Sequence, residues 1–111
     1  MKFIKSRFVI QMNPLCPNKI GFVDGYTDDD GIYGFYKHNK FWKATDLASG
    51  CLVTVQPTRK GCAEWIERNQ DKIRNAKNRP DYEVKVKNFT NLIKKSLEDL
   101  KKERTSNETK E

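Results

Sequence analysis

Apolar residues in the first half of the chain fall in short runs separated by turn-forming residues. Residues 2–12, KFIKSRFVIQM, carry Phe3, Ile4, Phe8, Val9 and Ile10 with few helix formers, which predicts a strand. The two prolines of residues 13–18, NPLCPN, predict a loop. KIGFVDGY then reads as a short strand ending in a turn at Asp24-Gly25, followed by the acidic turn TDDDG. Residues 32–37 and 40–47 pair as a hairpin with His38-Asn39 at its tip. Ala48-Ser49-Gly50 makes a second tight connection into the β-branched run CLVTVQ, residues 51–56.

From about Arg59 the period changes from two to between three and four. Cys62, Trp65, Ile66, Asn69, Ile73 and Ala76 share one face, predicting a helix over 59–78 that stops at Arg79-Pro80. YEVKVK, residues 82–87, alternates apolar and polar positions and predicts a strand at the sheet edge. Phe89, Leu92, Ile93, Leu97 and Leu100 stripe a second amphipathic helix, capped by Asn88 or Thr90. The expected fold is α+β: an antiparallel meander of about four or five strands packed by one amphipathic helix, then the edge strand and a C-terminal helix. Residues 1–104 form the domain, and 105–111, without an apolar residue, form a polar tail.

Composition narrows the function classes. The chain has 111 residues, 36% hydrophobic and 33% charged, enough apolar material for one modest core. Residues 1–12 lack the continuous apolar run of a secretory signal, and no stretch approaches the ~20 apolar residues of a membrane span. Cysteines 16, 51 and 62 are odd in number and irregular in spacing, against a disulfide framework or a zinc site. A reducing cytoplasm is the expected compartment. The net charge is +7, and residues 57–80 alone hold seven basic and three acidic residues. A local excess of this kind points to an acidic partner.

The stretch PTRKGCAEWIE, residues 57–67, offers two kinds of chemistry. Thr58 sits where a helix N-cap belongs. The free N–H groups of the first turn, with Arg59 and Lys60, could also converge on a phosphate, although the nucleotide-loop pattern is missing. Gly61 in that turn is costly for a helix and points to close packing against the preceding hairpin ahead of close backbone approach to a ligand. Further along, Arg68, Lys72, Asn75 and Arg79 line one flank of the helix beside Trp65, a flank suited to an acidic partner. The competing reading is an ordinary solvated flank with a Glu64–Arg68 pair.

Other groups carry less. Tyr33, Phe35, Tyr36, Phe41 and Trp42, interleaved with Lys37, Lys40 and Lys43, could form a stacking platform for single strands, but a core needs most of them. Asp24 and Asp28–Asp30 fail the calcium-loop pattern and read as turn residues. His38 is the single histidine, at a hairpin tip with no local nucleophile beside it, and Cys51 and Cys62 read as packed thiols. No catalytic residue, metal ligand or cofactor site is expected.

The stretch FWKATDLASGCLVTVQPTRKGCAEWI, residues 41–66, resembles a hairpin–helix block of short, mostly uncharacterised proteins of Gram-positive bacteria and their phages. Trp42, Thr45, Asp46, Leu47, Gly50, Thr58, Arg59, Lys60 and Ala63 carry the match, over about a quarter of the chain. Where that block often has a glutamate completing the capping box, this chain has Gly61. The resemblance implies a phage or mobile-element accessory protein, a group that includes inhibitors of host defence such as anti-CRISPR proteins. The combined expectation is a basic, non-enzymatic binding protein of the host cytoplasm that engages a host protein or nucleoprotein, such as a nuclease. Its contacts would be Arg59, Lys60, Arg68, Lys72, Asn75 and Arg79. Direct DNA or RNA binding by the same cations is the alternative.

Overall fold

A computed structural model describes the backbone of residues 1–11 and 19–109 and the side chains of residues 1–11 and 19–98. The loop expected at 13–18, Cys16 within it and the last two residues of the expected tail lie outside the described residues.

The first half is the expected meander. Strands β1 (Phe3–Gln11), β2 (Ile20–Asp28), β3 (Tyr33–His38), β4 (Phe41–Asp46) and β5 (Leu52–Gln56) form one antiparallel sheet in the order β1-β2-β3-β4-β5. The β3–β4 tip is one residue later than expected: His38 pairs with Phe41, leaving Asn39-Lys40 in the turn. Asn39 takes the left-handed backbone (φ 59°) that asparagine tolerates there. The acidic turn works through Asp28, which is buried and accepts the N–H groups of Ile32 (2.8 Å) and Tyr33 (2.9 Å).

The turn expected at Asp24-Gly25 is absent. Strand β2 runs through both residues, with Asp24 opposite Arg7 and Gly25 opposite Ser6. Asp24 instead accepts a two-pronged ion pair from Arg7 (2.8 and 3.2 Å) across the strands. The glycine makes room for β3, since a Cβ on Gly25 would lie 2.1 Å from the Phe35 carbonyl oxygen.

Alternation splits the sheet into two faces. On one, Tyr33, Phe35 and Ala44 pack with Cys62 and Ile66 of the following helix as the buried core. On the other, the buried Phe8 ring packs beside Tyr36 (6.0 Å) and over Gly34. The sheet also curls. β1 and β5 are its two edges, yet Gln11 donates its backbone N–H to the Gly50 carbonyl (3.2 Å) and its side-chain amide to the Ser49 carbonyl (2.8 Å).

The helix expected over 59–78 is two helices, α1 (Arg59–Arg68) and α2 (Gln70–Lys77). The break falls at Asn69, whose backbone leaves helical geometry (φ −118°, ψ 30°). At the break the Trp65 carbonyl accepts both the Asn69 backbone N–H (3.0 Å) and its Nδ2 (2.8 Å), and Gln70 Nε2 donates to the Ile66 carbonyl (2.8 Å).

The strand expected at 82–87 is also corrected. Helix α3 (Pro80–Thr109) takes in both that segment and the expected C-terminal helix. Proline suits the first helical position, and Asp81 and Glu83 in the first turn favour its positive end. Tyr82, Val86 and Phe89, at steps of four and three, turn inward while Val84 is 57% exposed, so the helical period decides over alternation. The buried Phe89 ring lies directly against Gly50.

Candidate functional site: a basic cleft between the helices

The opening stretch is mainly structural. Thr58 is the N-cap of α1, and its Oγ1 accepts the Gly61 N–H at 2.9 Å. A Cβ on Gly61 would stand 3.0 Å from that oxygen and 3.4 Å from Gln56 Cβ, so packing against the hairpin accounts for the glycine. Arg59 folds back onto the sheet. Its guanidinium carbon lies 4.0 Å from the Tyr26 ring centre, 4.5 Å from Phe3 and 5.7 Å from Trp42. That placement commits Arg59 to holding α1 on the sheet, while Lys60 beside it is exposed. Replacing Arg59 with alanine is therefore expected to cost about 1–2 kcal/mol of stability, through lost stacking and packing. Urea denaturation measures the loss, and an unchanged midpoint would show that the stack contributes nothing.

Asp46, at the end of β4, organises the other side of the block. Its Oδ2 accepts the Ser49 hydroxyl (2.7 Å), the Ser49 N–H (3.3 Å) and the Tyr82 hydroxyl (2.7 Å). Its Oδ1 stands 3.7 Å from Lys77 Nζ, which in turn lies 5.4 Å from the Tyr33 ring centre. One buried carboxylate thus ties α2 and α3 to the sheet. Burial, then the hydrogen bond to Asp46 and the charge of that carboxylate, push the Tyr82 phenol well above its ordinary value. Burial raises Tyr33 as well, helped by Asp46 and Asp28, and burial alone raises Tyr36.

These shifts give the fold an alkaline limit. The unfolded chain releases the phenolic protons near pH ~10, the native state only above that, so stability is fully present below ~10 and falls as pH rises further. The melting temperature should be level up to about pH 9 and then drop. Tyr82→Phe should shallow the drop, and an equally steep one in that variant would remove Tyr82 from the account.

Between α2, the start of α3 and β5 lies a cleft of about 260 Å³. Asp46, Ser49 and Tyr82 contribute to its lining, as do Trp65, Ile73 and Val53 from the margin of the core. Lys72, Lys77, Arg79 and Lys85 add the cations. Lys77 faces Asp46, and Lys85 pairs with Asp81 at 3.6 Å. Among the described residues, Lys72 and Arg79 have no ion-pair partner, so their charge is available.

Of the six residues expected to contact a partner, the fold brings together Lys72 and Arg79. Arg68 and Asn75 are exposed but do not line the cleft. The Glu64–Arg68 pair does not form among the described residues, where Arg74–Asp71 (3.4 Å) is the ion pair within α2. Sequence reasoning missed Lys77 and Lys85. Pro80 with the acidic turn after it was the available signal for Lys85, because it starts the helix that carries that residue.

The remaining candidates are settled by packing. Tyr33 and Phe35 are buried, Tyr36 and Trp42 half-buried, and Phe41 is the exposed ring of that hairpin. Cys62 is buried, and its thiol is raised by burial. The described residues hold no group of three potential metal ligands, and no helix among them is long and apolar enough to cross a membrane. Comparison with protein families, curated proteins and solved structures finds no match to the chain.

Proposed function

We propose that this chain is a non-enzymatic binding protein that engages an acidic partner at the basic cleft. The observation that supports this reading is the convergence of Lys72 and Arg79, from α2 and the α2–α3 junction, on one concavity, with neither in an ion pair among the described residues. Lys60 and Arg68 on α1 and Asn75 on α2 are exposed as well, outside the cleft. An acidic surface of a host protein or nucleoprotein, a nuclease among them, is the partner this charge fits. The resemblance of residues 41–66 supports a phage or mobile-element accessory role in the host cytoplasm, of the defence-inhibitor type.

The double charge reversal Lys72→Glu/Arg79→Glu tests it. Capture of a host protein from nuclease-treated lysate should weaken by at least about tenfold at low salt, with the circular dichroism unchanged. Undiminished capture would move the contact elsewhere. Retardation of DNA or RNA in a low-salt mobility shift, with about one unit of log–log salt slope lost per cation removed, would favour direct nucleic-acid binding instead.

A further inference from the structure

The cleft is more than a patch of charge. Its cations sit over an apolar wall: Trp65 and Ile73 are half-buried beneath, and Leu52 on the edge strand is 56% exposed at the lip. It also contains two carboxylates, Asp46 in the lining and Asp81 on the first turn of α3. Asp46 and Asp81 face Lys77 and Lys85, so among the described lining residues two cations are left, too few for a polyanion with phosphates along its length. A ligand with one localised negative charge and an apolar body would meet the two free cations and the wall. At about 260 Å³ the cleft is below the ~300 Å³ at which small-molecule and cofactor sites begin, and suits one or two side chains.

We infer that the cleft takes an anchor from an acidic peptide segment of the partner: a carboxylate held by Lys72 and Arg79, with a neighbouring aromatic or aliphatic side chain against Trp65 and Ile73. This rests on the acidic-partner reading and specifies its chemistry. The carboxylate sets orientation and the apolar side chain supplies the buried anchor, a division of labour common at protein interfaces.

The test uses the full chain and three labelled peptides read by fluorescence anisotropy. In the first, glutamate alternates with phenylalanine and leucine. The second is all glutamate, and the third replaces each glutamate of the first with glutamine. The first should bind about tenfold more tightly than either control, because it alone satisfies both halves of the cleft. Ala76→Phe fills the cleft from an exposed position of α2 and keeps every cation. It should erase the tenfold preference while leaving the weaker all-glutamate binding in place. Leu52→Glu, also at an exposed site, should erase the preference too and, by placing like charge at the lip, weaken the all-glutamate peptide as well.

If the preference survives both substitutions, the cleft is not the anchor site, although the acidic-partner reading stands. Equal binding of the first two peptides likewise reduces the site to surface charge and overturns the inference. If no acidic peptide binds and Lys72→Glu/Arg79→Glu leaves partner capture intact, the underlying reading falls with it. A single-stranded oligonucleotide that displaces the first peptide, and is itself weakened by Ala76→Phe, would assign the cleft to nucleic acid and overturn the peptide.

Discussion

Replacing Gly25 with alanine should destabilise the protein by about 3 kcal/mol or more, a large share of the ~5–15 kcal/mol typical of a domain. The new methyl carbon would stand 2.1 Å from the Phe35 carbonyl oxygen, 3.1 Å from its carbon and 3.1 Å from Tyr36 Cα. All three are main-chain atoms, so relief requires β2 and β3 to separate where Tyr26 faces Phe35 and Thr27 faces Gly34. Phe35 is fully buried in the core, so any such movement is felt there. Two other glycines serve as controls. Alanine at Gly34 meets the Phe8 ring, a side chain that can rotate, and alanine at Gly31 meets nothing within 4 Å, only the strain of φ +70°. Gly31→Ala should cost about 1 kcal/mol, and Gly34→Ala should fall between the two. Urea denaturation of the three variants gives the ranking, and a wild-type midpoint for Gly25→Ala would contradict the close approach.

The second large effect is expected at Asp46. Alanine there removes the acceptor for the Ser49 and Tyr82 hydroxyls and the counter-charge of Lys77 together. Two hydroxyls lose a buried charged acceptor, which costs about 2–4 kcal/mol, while the more exposed Lys77 at 3.7 Å adds little. Tyr82→Phe breaks only one bond to the carboxylate and should cost about 1.5–3 kcal/mol. Location distinguishes Asp46→Ala from general destabilisation. Hydrogen exchange should rise first in α2 and the first turns of α3, while β1 and β2, held by their own ladder, keep their protection. Because Lys85 and Arg79 lie on the segment released, the basic cleft should lose its shape before the sheet melts. Uniform loss of protection would show that Asp46 supports the whole domain and not the helical side alone.

Much of this architecture was legible in the sequence. Runs such as CLVTVQ and the two arms around His38-Asn39 gave the meander, because a half-buried strand writes itself in β-branched and aromatic residues. Gly25 was misread because its role is set by a carbonyl ten positions later on another strand, and no local pattern encodes that. Residues 82–87 satisfied two periods at once. Proline at the first helical position, followed by two acids, was the better guide. Asn69 fitted the apolar face of a continuous helix by spacing, but its backbone leaves helical geometry there and ends α1.

The candidate site was legible in the same uneven way. Lys72 and Arg79, seven positions apart, both line the cleft, although Arg79 lies past the end of α2 and not on a continuous helix as the spacing implied. Arg59 looked like a free cation at a helix start. Its three aromatic partners come from β1, β2 and β4, and only the folded sheet brings them together. Asp46 drew attention as part of a block but not as a tie, because Tyr82 lies 36 positions away.

The order of strands in the sheet is the order in which they leave the ribosome. Each new strand meets a finished edge, so the sheet can grow one hairpin at a time during synthesis, with little exposed edge waiting for a distant partner. The two bonds from Gln11 are the exception, because their acceptors, Ser49 and Gly50, are made nearly forty residues later. Translation therefore completes the curl of the sheet only when the β4–β5 turn emerges, and the far end of β1 is sealed by one of the last parts of the sheet to be made.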